Sequence, residues 1–381
     1  MTIGFLRPTK AVVDCQALYH NIKSELATIK DGAEVFAVVK ANGYGHGAVK
    51  VAGVAKKAGA SGFCVSLLDE ALELREAGFQ EPILVLGVVD PKHVAILVQE
   101  KISTTAASLE WLEQTSYYWH QFECTQSVLI HVKIDTGMGR LGFVEEVDML
   151  AAIDFIEKHP EFYLEGLFTH FAKADSKDNS YFEMQQERFR KALAIFPTTI
   201  RYIHTSNSAT ALWHDHWRSN MIRLGVEMYG LNPSGTELAT PFEIKQVMSL
   251  ISSLVQVKRL KKGERVSYGA EYQAQQDEWI GTLPIGYADG FIRHFKGFSV
   301  LVEGHQAEIV GRICMDQCMI RLPHALPVGT KVTIFGKDGD LVNTFQDGAE
   351  YVDTINYELP CILSERVPRI YINEDLSESH A

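Results

Sequence analysis

The chain is short of the features that mark several whole classes of protein. Its six cysteines, at 15, 64, 124, 314, 318 and 361 of 381 residues, are too scattered for the dense framework that staples small secreted domains, so reduced thiols are expected. Cys314 and Cys318 have no second Cys or His pair at zinc-site distance, and no metal is expected. No window approaches the roughly 18 apolar residues needed to span a bilayer. The opening MTIGFLRPTKAVVDC has no apolar core or small-residue cleavage site of a secretory signal. Positive charge is also in deficit: 36 Lys and Arg stand against 48 Asp and Glu, a formal charge of −12, which argues against nucleic acid or an anionic membrane as main partner. Fixed-period repeats, low-complexity tracts and Pro/Ser linkers are missing too. These absences leave a cytoplasmic enzyme or binding protein, and a local basic pocket for a small anion is compatible with the charge balance.

What is present is 46% apolar content and a regular alternation. Eight short apolar runs read as strands: Val35 to Val39, Phe63 to Ser66, Ile83 to Leu86, Ile102 to Thr104, Val128 to Ile134, Tyr163 to His170, Arg201 to His204 and Met221 to Leu224. Helical patterns separate them, among them Ala48 to Ala58, Leu67 to Ala77, Leu109 to Trp119 and Tyr181 to Ala194. Eight such units suggest an α/β fold closed into a (β/α)8 TIM-type barrel, with a doubly wound open sheet as the competing arrangement. After about Pro241 the texture becomes β-rich, with no long helical pattern before about Thr354 to Ile362. The expected organisation is a barrel over 1–240 and a mostly-β domain over 241–381, with the first residues of the chain free to pair with the second domain.

In a parallel barrel, chemistry gathers where strands end. In AVVKANGYGHG (37–47), Lys40 ends the first strand and glycines at 43, 45 and 47 turn the chain. An isolated strand-end lysine is most simply a snorkelling side chain, but this one has company. Lys133 and Asp135 end the fifth strand before the TGMGR loop with Arg140, His170 ends the sixth, His204 and Asn207-Ser208 come after the seventh, and Arg223 ends the eighth before Gly225. One such residue alone reads as an N-cap or a turn glycine. Together, a serine, glycine amides and cations around an amine suit a phosphorylated aldehyde, pyridoxal 5′-phosphate held as a Schiff base.

Ten ordered segments over nearly the whole length make the resemblance specific: RPTKAVVD, VVKANGYGHG, HVKIDTGMGRLGF, LEGLFTHFAKAD, HTSNSA, IRLGVEMYGLNP, VSYGAEY, PIGYADG, GRICMDQ and TINYELPC. In these the chain resembles the alanine racemase family, pyridoxal-phosphate enzymes of fold type III. The resemblance implies a homodimer with shared active sites, in which Lys40 carries the cofactor and Tyr268, reaching into the partner subunit, is the second base. It further implies Tyr44, Ser208, Gly225, Val226 and Tyr357 as phosphate ligands and Arg223 on the ring nitrogen. His170 would lie beside the ring, hydrogen-bonded to Arg223. Arg140, with Met315 and Asp316 of the partner, is implied at the substrate carboxylate, Tyr287 as an entry gate and Lys133 as a lysine that can be carbamylated. The activity implied is L/D-alanine interconversion, supplying D-alanine for the bacterial cell wall.

Two bases suit the reaction, because the Cα proton leaves one face and returns to the other. With ordinary pKa values near 10.4 and 10, a lysine and a tyrosine need neighbours that lower them. Serine as a secondary substrate, or a decarboxylase of the same architecture, are the competing activities. His46 reads as structural, the His214-Asp215-His216 cluster as solvated or packed, the Tyr117-Tyr118-Trp119 run as packing a helix on the barrel, the Asp69, Glu70, Glu73 and Glu76 face as solvated, and the Ser377 to His380 tail as mobile.

Overall fold

The protein is described by a computed structural model over residues 2–29, 32–214 and 219–376; Asp215, His216 and Trp217 and the 377–380 tail lie outside the described residues. The apolar runs do form strands: Glu34–Val38, Gly62–Val65, Ile83–Val85, Ser103–Ala106, Val128–Lys133, Phe162–Phe168, Tyr202–His204 and Met221–Leu224. Most of their residues are buried irrespective of alternation, as expected of parallel strands covered on both faces. The first seven pair in parallel, each with the next, and the first also pairs with the eighth, Val35 opposite Ile222. Closure between the seventh and eighth is looser. It rests on an isolated bridge between Asn207 and Arg223 and on Arg223 N–H donating to the Ser206 carbonyl at 3.0 Å. The result is a nearly closed barrel with helices outside, and the open-sheet alternative is excluded.

The second sheet gathers Met248–Ser253, Gln256–Leu260, Glu278–Leu283, Ser299–Val302, His305–Val310, Cys318–Leu322, Lys331–Asp338 and Leu341–Asn343, nearly all antiparallel, with two strands from the chain ends. Lys10–Asp14 lies between Met248–Ser253, antiparallel, and Arg369–Ile372, parallel. The chain therefore starts in this sheet before entering the barrel through a helix, Cys15–Thr28, that periodicity does not reveal. Its start is set by Asp14, whose carboxylate accepts the Gln16 and Ala17 amides at 2.9 and 3.1 Å. The late helix also differs from expectation: it runs Phe345–Val352, begun by a Thr344–Asp347 capping box, with only a short turn of helix at Glu358–Cys361. Tyr117 is largely exposed, while Tyr118 and Trp119 pack against the barrel helices.

Candidate active site

Lys40 opens a left-handed turn. Ala41, Asn42 and Gly43 have φ/ψ of 52/49, 52/48 and 60/47°, and Tyr44 has φ 50°. Such a conformation is costly for residues with a Cβ, and hydrogen bonds hold it. Gly43 N–H donates to the Val39 carbonyl at 2.8 Å and Ala48 N–H to Asn42 Oδ1 at 2.9 Å. His46 is buried and neutral, its pKa pushed down to about 4 by burial, and its Nδ1 bridges the Gly43 and Tyr44 carbonyls at 3.1 and 2.9 Å. Its role is structural. Glu70 is not the solvated carboxylate its helix face suggested. One oxygen accepts Ala41 N–H at 2.6 Å and the other accepts Ser66 and Leu67 N–H at 2.8 and 3.1 Å, so it ties the lysine-bearing turn to the next βα loop.

The turn delivers Lys40 and Tyr44 to a 480 Å³ cavity at the strand C-termini, lined also by Lys133, Arg140, His170, Ser208, Arg223, Gly225, Val226 and Tyr357. Asp135 positions Arg140. Its carboxylate accepts the Gly137, Gly139 and Arg140 amides at 2.9, 3.1 and 2.9 Å, and although burial opposes this, those donors hold its pKa below the usual value. Burial and then Arg140 push the Lys40 amine down toward its neutral, nucleophilic form. Lys133 goes further, to about 7, through burial and the neighbouring Arg223 and Arg140. Burial pushes the Tyr44 and Tyr357 phenols up, so both remain donors.

Arg223 is buried with a pKa of about 10, lowered mainly by burial, and stays charged at neutral pH. The expected bond between Arg223 and His170 is replaced. The guanidinium donates to His204 Nδ1 at 2.7 Å and to the carbonyls of His204, Thr169 and Thr205 at 3.0, 3.0 and 3.3 Å. The reason is geometric: both Arg223 and His204 fill the barrel interior, whereas His170 stands at the mouth, half-buried. Burial and the surrounding cations, Arg223 first, keep His170 neutral. Sequence marked His204 only as a strand-end residue. His131, two places before Lys133 and so on the same strand face, was missed, as was Glu165.

Tyr268, Tyr287, Met315 and Asp316 are not in this cavity. They form a separate surface of the β domain, where Tyr268 is 71%, Met315 53% and Tyr287 42% exposed. The Tyr287 and Ala288 amides donate to the Cys314 and Met315 carbonyls at 3.1 and 3.0 Å, and Ser267 Oγ donates to the Arg312 carbonyl at 2.6 Å, so the three loops are tied to one another. Buried Asp289 anchors it through Arg7, at 2.5 and 3.0 Å, while Arg366 holds Asp316 at 2.8 Å.

The cavity can be tested against a cofactor. Gly225 leaves a space that a Cβ would fill, 3.1 Å from Tyr44 Oη and 3.7 Å from Ser208 Oγ, and its own N–H lies 2.9 Å from that serine oxygen. Converging hydroxyls and an amide suit a phosphate monoester, and Lys40 at the other side suits an aldehyde. Both demands are those of pyridoxal 5′-phosphate, which places the protein among the pyridoxal-phosphate enzymes built as a barrel followed by a β domain.

Comparison with known proteins narrows the class. The family model of the alanine racemase N-terminal domain matches residues 13–233 and that of the alanine racemase C-terminal domain matches 247–371. An alanine racemase of Levilactobacillus brevis is 52% identical over 371 residues, covering 97% of this chain and 100% of its own. The crystal structure of alanine racemase from E. faecalis superposes with a TM-score of 0.94 at 53% identity, covering 97% of this chain and 100% of that one. A histidine racemase from Leuconostoc mesenteroides subsp. sake superposes at 0.90 with 32% identity, covering 97% and 100%. The chain belongs to the alanine racemase family, whose members depend on pyridoxal phosphate.

Proposed function

We propose that the protein interconverts L- and D-alanine at a site completed by a second copy of the chain. The observation that carries this reading is the strand-end Lys40, driven toward its neutral form by burial and Arg140 beside a phosphate-sized cradle. When bound, pyridoxal phosphate supplies an electrophilic carbon for amines and a conjugated system that acidifies the substrate Cα–H.

In this reading Lys40 holds the cofactor and moves the Cα proton on one face, and Tyr268 of the partner subunit moves it on the other. Tyr44 and Tyr357, kept protonated, would hold the phosphate alongside Ser208 Oγ and the Gly225 and Val226 amides. Arg223 would donate to the ring nitrogen and, being charged, keep a proton off it; His170 would lie beside the ring as a neutral group. Arg140 meets the substrate carboxylate with Met315 and Asp316 of the partner subunit, and Tyr287 flanks the entry. Lys133, whose neutral amine can add carbon dioxide and release a proton, becomes an anionic carbamate that orients Arg140 and relieves the repulsion between them. Domains of 1–240 and 241–381, a homodimer, a cytoplasmic location and D-alanine supply for the cell wall accompany the reading. Among the described residues no helix is long and apolar enough to cross a membrane.

A visible absorption band of the lysine-bound cofactor in the purified protein, lost in Lys40→Ala, together with polarimetric conversion of L-alanine to D-alanine, is the expected outcome. Absence of both the band and the conversion would overturn the assignment. Serine and histidine belong in the same assay, since a neighbour of this fold at 32% identity is a histidine racemase.

A further inference from the structure

Arg223 is one end of a buried hydrogen-bonded chain that crosses the barrel interior. Its guanidinium donates to His204 Nδ1 at 2.7 Å, His204 Nε2 lies 2.8 Å from His131 Nδ1, and His131 Nε2 lies 3.2 Å from a Glu165 oxygen. That oxygen also accepts the Ser103 hydroxyl at 2.6 Å, and Arg201 stands 3.6 Å from the other. His131, His204, Arg223, Glu165 and Ser103 are each no more than 5% exposed, so water does not compete for these bonds.

The protons on this chain have only one arrangement that pairs every donor with an acceptor. A guanidinium has no acceptor, so His204 Nδ1 must be bare and its proton must sit on Nε2. That proton needs His131 Nδ1 as acceptor, which puts the second imidazole's proton on Nε2 as well, facing Glu165. Reversal of His131 would point its Nδ1–H at His204, force that ring's proton onto Nδ1, and set two donors against each other beside Arg223.

We infer that Glu165 is a positioning residue: by accepting His131 Nε2–H it fixes that ring's tautomer from the end opposite Arg223, leaves His131 Nδ1 as the acceptor for His204 Nε2–H, and so supports the orientation of the Arg223 guanidinium. The placement of Arg223 against the cofactor ring rests on the function proposed above, but the proton arrangement does not. Burial and the nearby cations keep both imidazoles neutral. Burial opposes ionisation of Glu165, yet His131 and Ser103 hold its pKa below the usual value, so an anion at one end balances the buried cation at the other.

The test is nitrogen NMR of the holoenzyme labelled at histidine, which reads tautomers whether or not alanine turns over. Wild type is expected to show His131 and His204 as neutral rings protonated at Nε2. Glu165→Ala should give a tautomer mixture at His204 and lower kcat by ~10-fold or more with KM for alanine little changed, the pattern of a displaced catalytic group. Glu165→Gln, which keeps an oxygen for His131 Nε2–H, should restore both. If Glu165→Ala does not fold, His131→Phe keeps the ring volume and should release His204 in the same way. A proton on His204 Nδ1 in wild type, or an unchanged His204 in the variant that removes its support, would overturn the inference. Loss of alanine turnover in wild type with the expected tautomers would instead count against the proposed function alone.

Discussion

Lys133 is a lysine in a place built for something less positive. It is 4% exposed, its Nζ donates to the Ile134 carbonyl at 3.0 Å, and its charged neighbours are Arg223, Asp135 and Arg140, of which only Asp135 favours the protonated amine. In the unfolded chain its amine stays protonated up to the ordinary 10.5; in the folded protein it gives up its proton at about 7. Between those values the unfolded state binds more protons, so this residue's contribution to stability rises with pH across that window, by on the order of 5 kcal/mol at full effect in carbon-dioxide-free buffer. Lys133→Met removes the titration. Its advantage in thermal unfolding over wild type should be largest below about pH 7 and fade toward 10.5, whereas a constant difference would show that the lysine is charged throughout. Bicarbonate should add one carbon dioxide to the native protein's mass and narrow the difference. At this scale the sequence is informative where strand ends select residues, and less so for carboxylates such as Glu70 and Glu165, whose partners come from other strands and loops.

The turn beginning at Lys40 shows what is and is not legible at the scale of an element. Glycines at 43, 45 and 47 announce a turn, and two of them accept close neighbours that a side chain would displace: a Cβ on Gly45 would lie 2.0 Å from the Pro360 carbonyl oxygen. The hand of the turn is not legible, because Ala41 adopts positive φ against its own preference and, with the more tolerant Asn42, is held there through Glu70 and Ala48. Under the proposed function, the strain falls where the lysine must be held in place. Ala41→Gly removes the Cβ cost at the expense of a freer unfolded chain, so stability should rise by about 0.5–1 kcal/mol. The same change should loosen the lysine and lower kcat a few-fold with little effect on KM. Thermal unfolding and initial rates separate the two, and a destabilised Ala41→Gly would mean that the turn is not strained. The strands Lys10–Asp14 and Arg369–Ile372 are harder still to read, since their partnership joins the two ends of the chain and no local pattern encodes it.

On the scale of the whole molecule, the residues chosen from sequence divide into two groups that one chain does not bring together. Lys40, Tyr44 and Arg223 face the cavity, while Tyr268, Tyr287 and Met315 lie exposed on loops locked to each other and anchored by Arg7 and Asp289. An exposed tyrosine on loops tied to one another is placed to enter a second cavity rather than its own. A two-fold dimer lets each chain lend Tyr268 to the other, because a closed symmetric interface makes every exchange mutual. Lys40→Ala subunits keep a sound Tyr268, and Tyr268→Phe subunits keep a sound Lys40. Neither homodimer then has a complete site, but the mixed dimer has one complete and one doubly defective. Random re-assembly of equal amounts makes half the dimers mixed and half their sites whole, so activity should recover to about a quarter of wild type. Recovery would be measured as alanine racemisation after dissociating and re-associating the two variants, with the unmixed homodimers as controls. A mixture no more active than its parents would mean that both bases act within one chain, and the exposed loops would then have to fold over their own cavity.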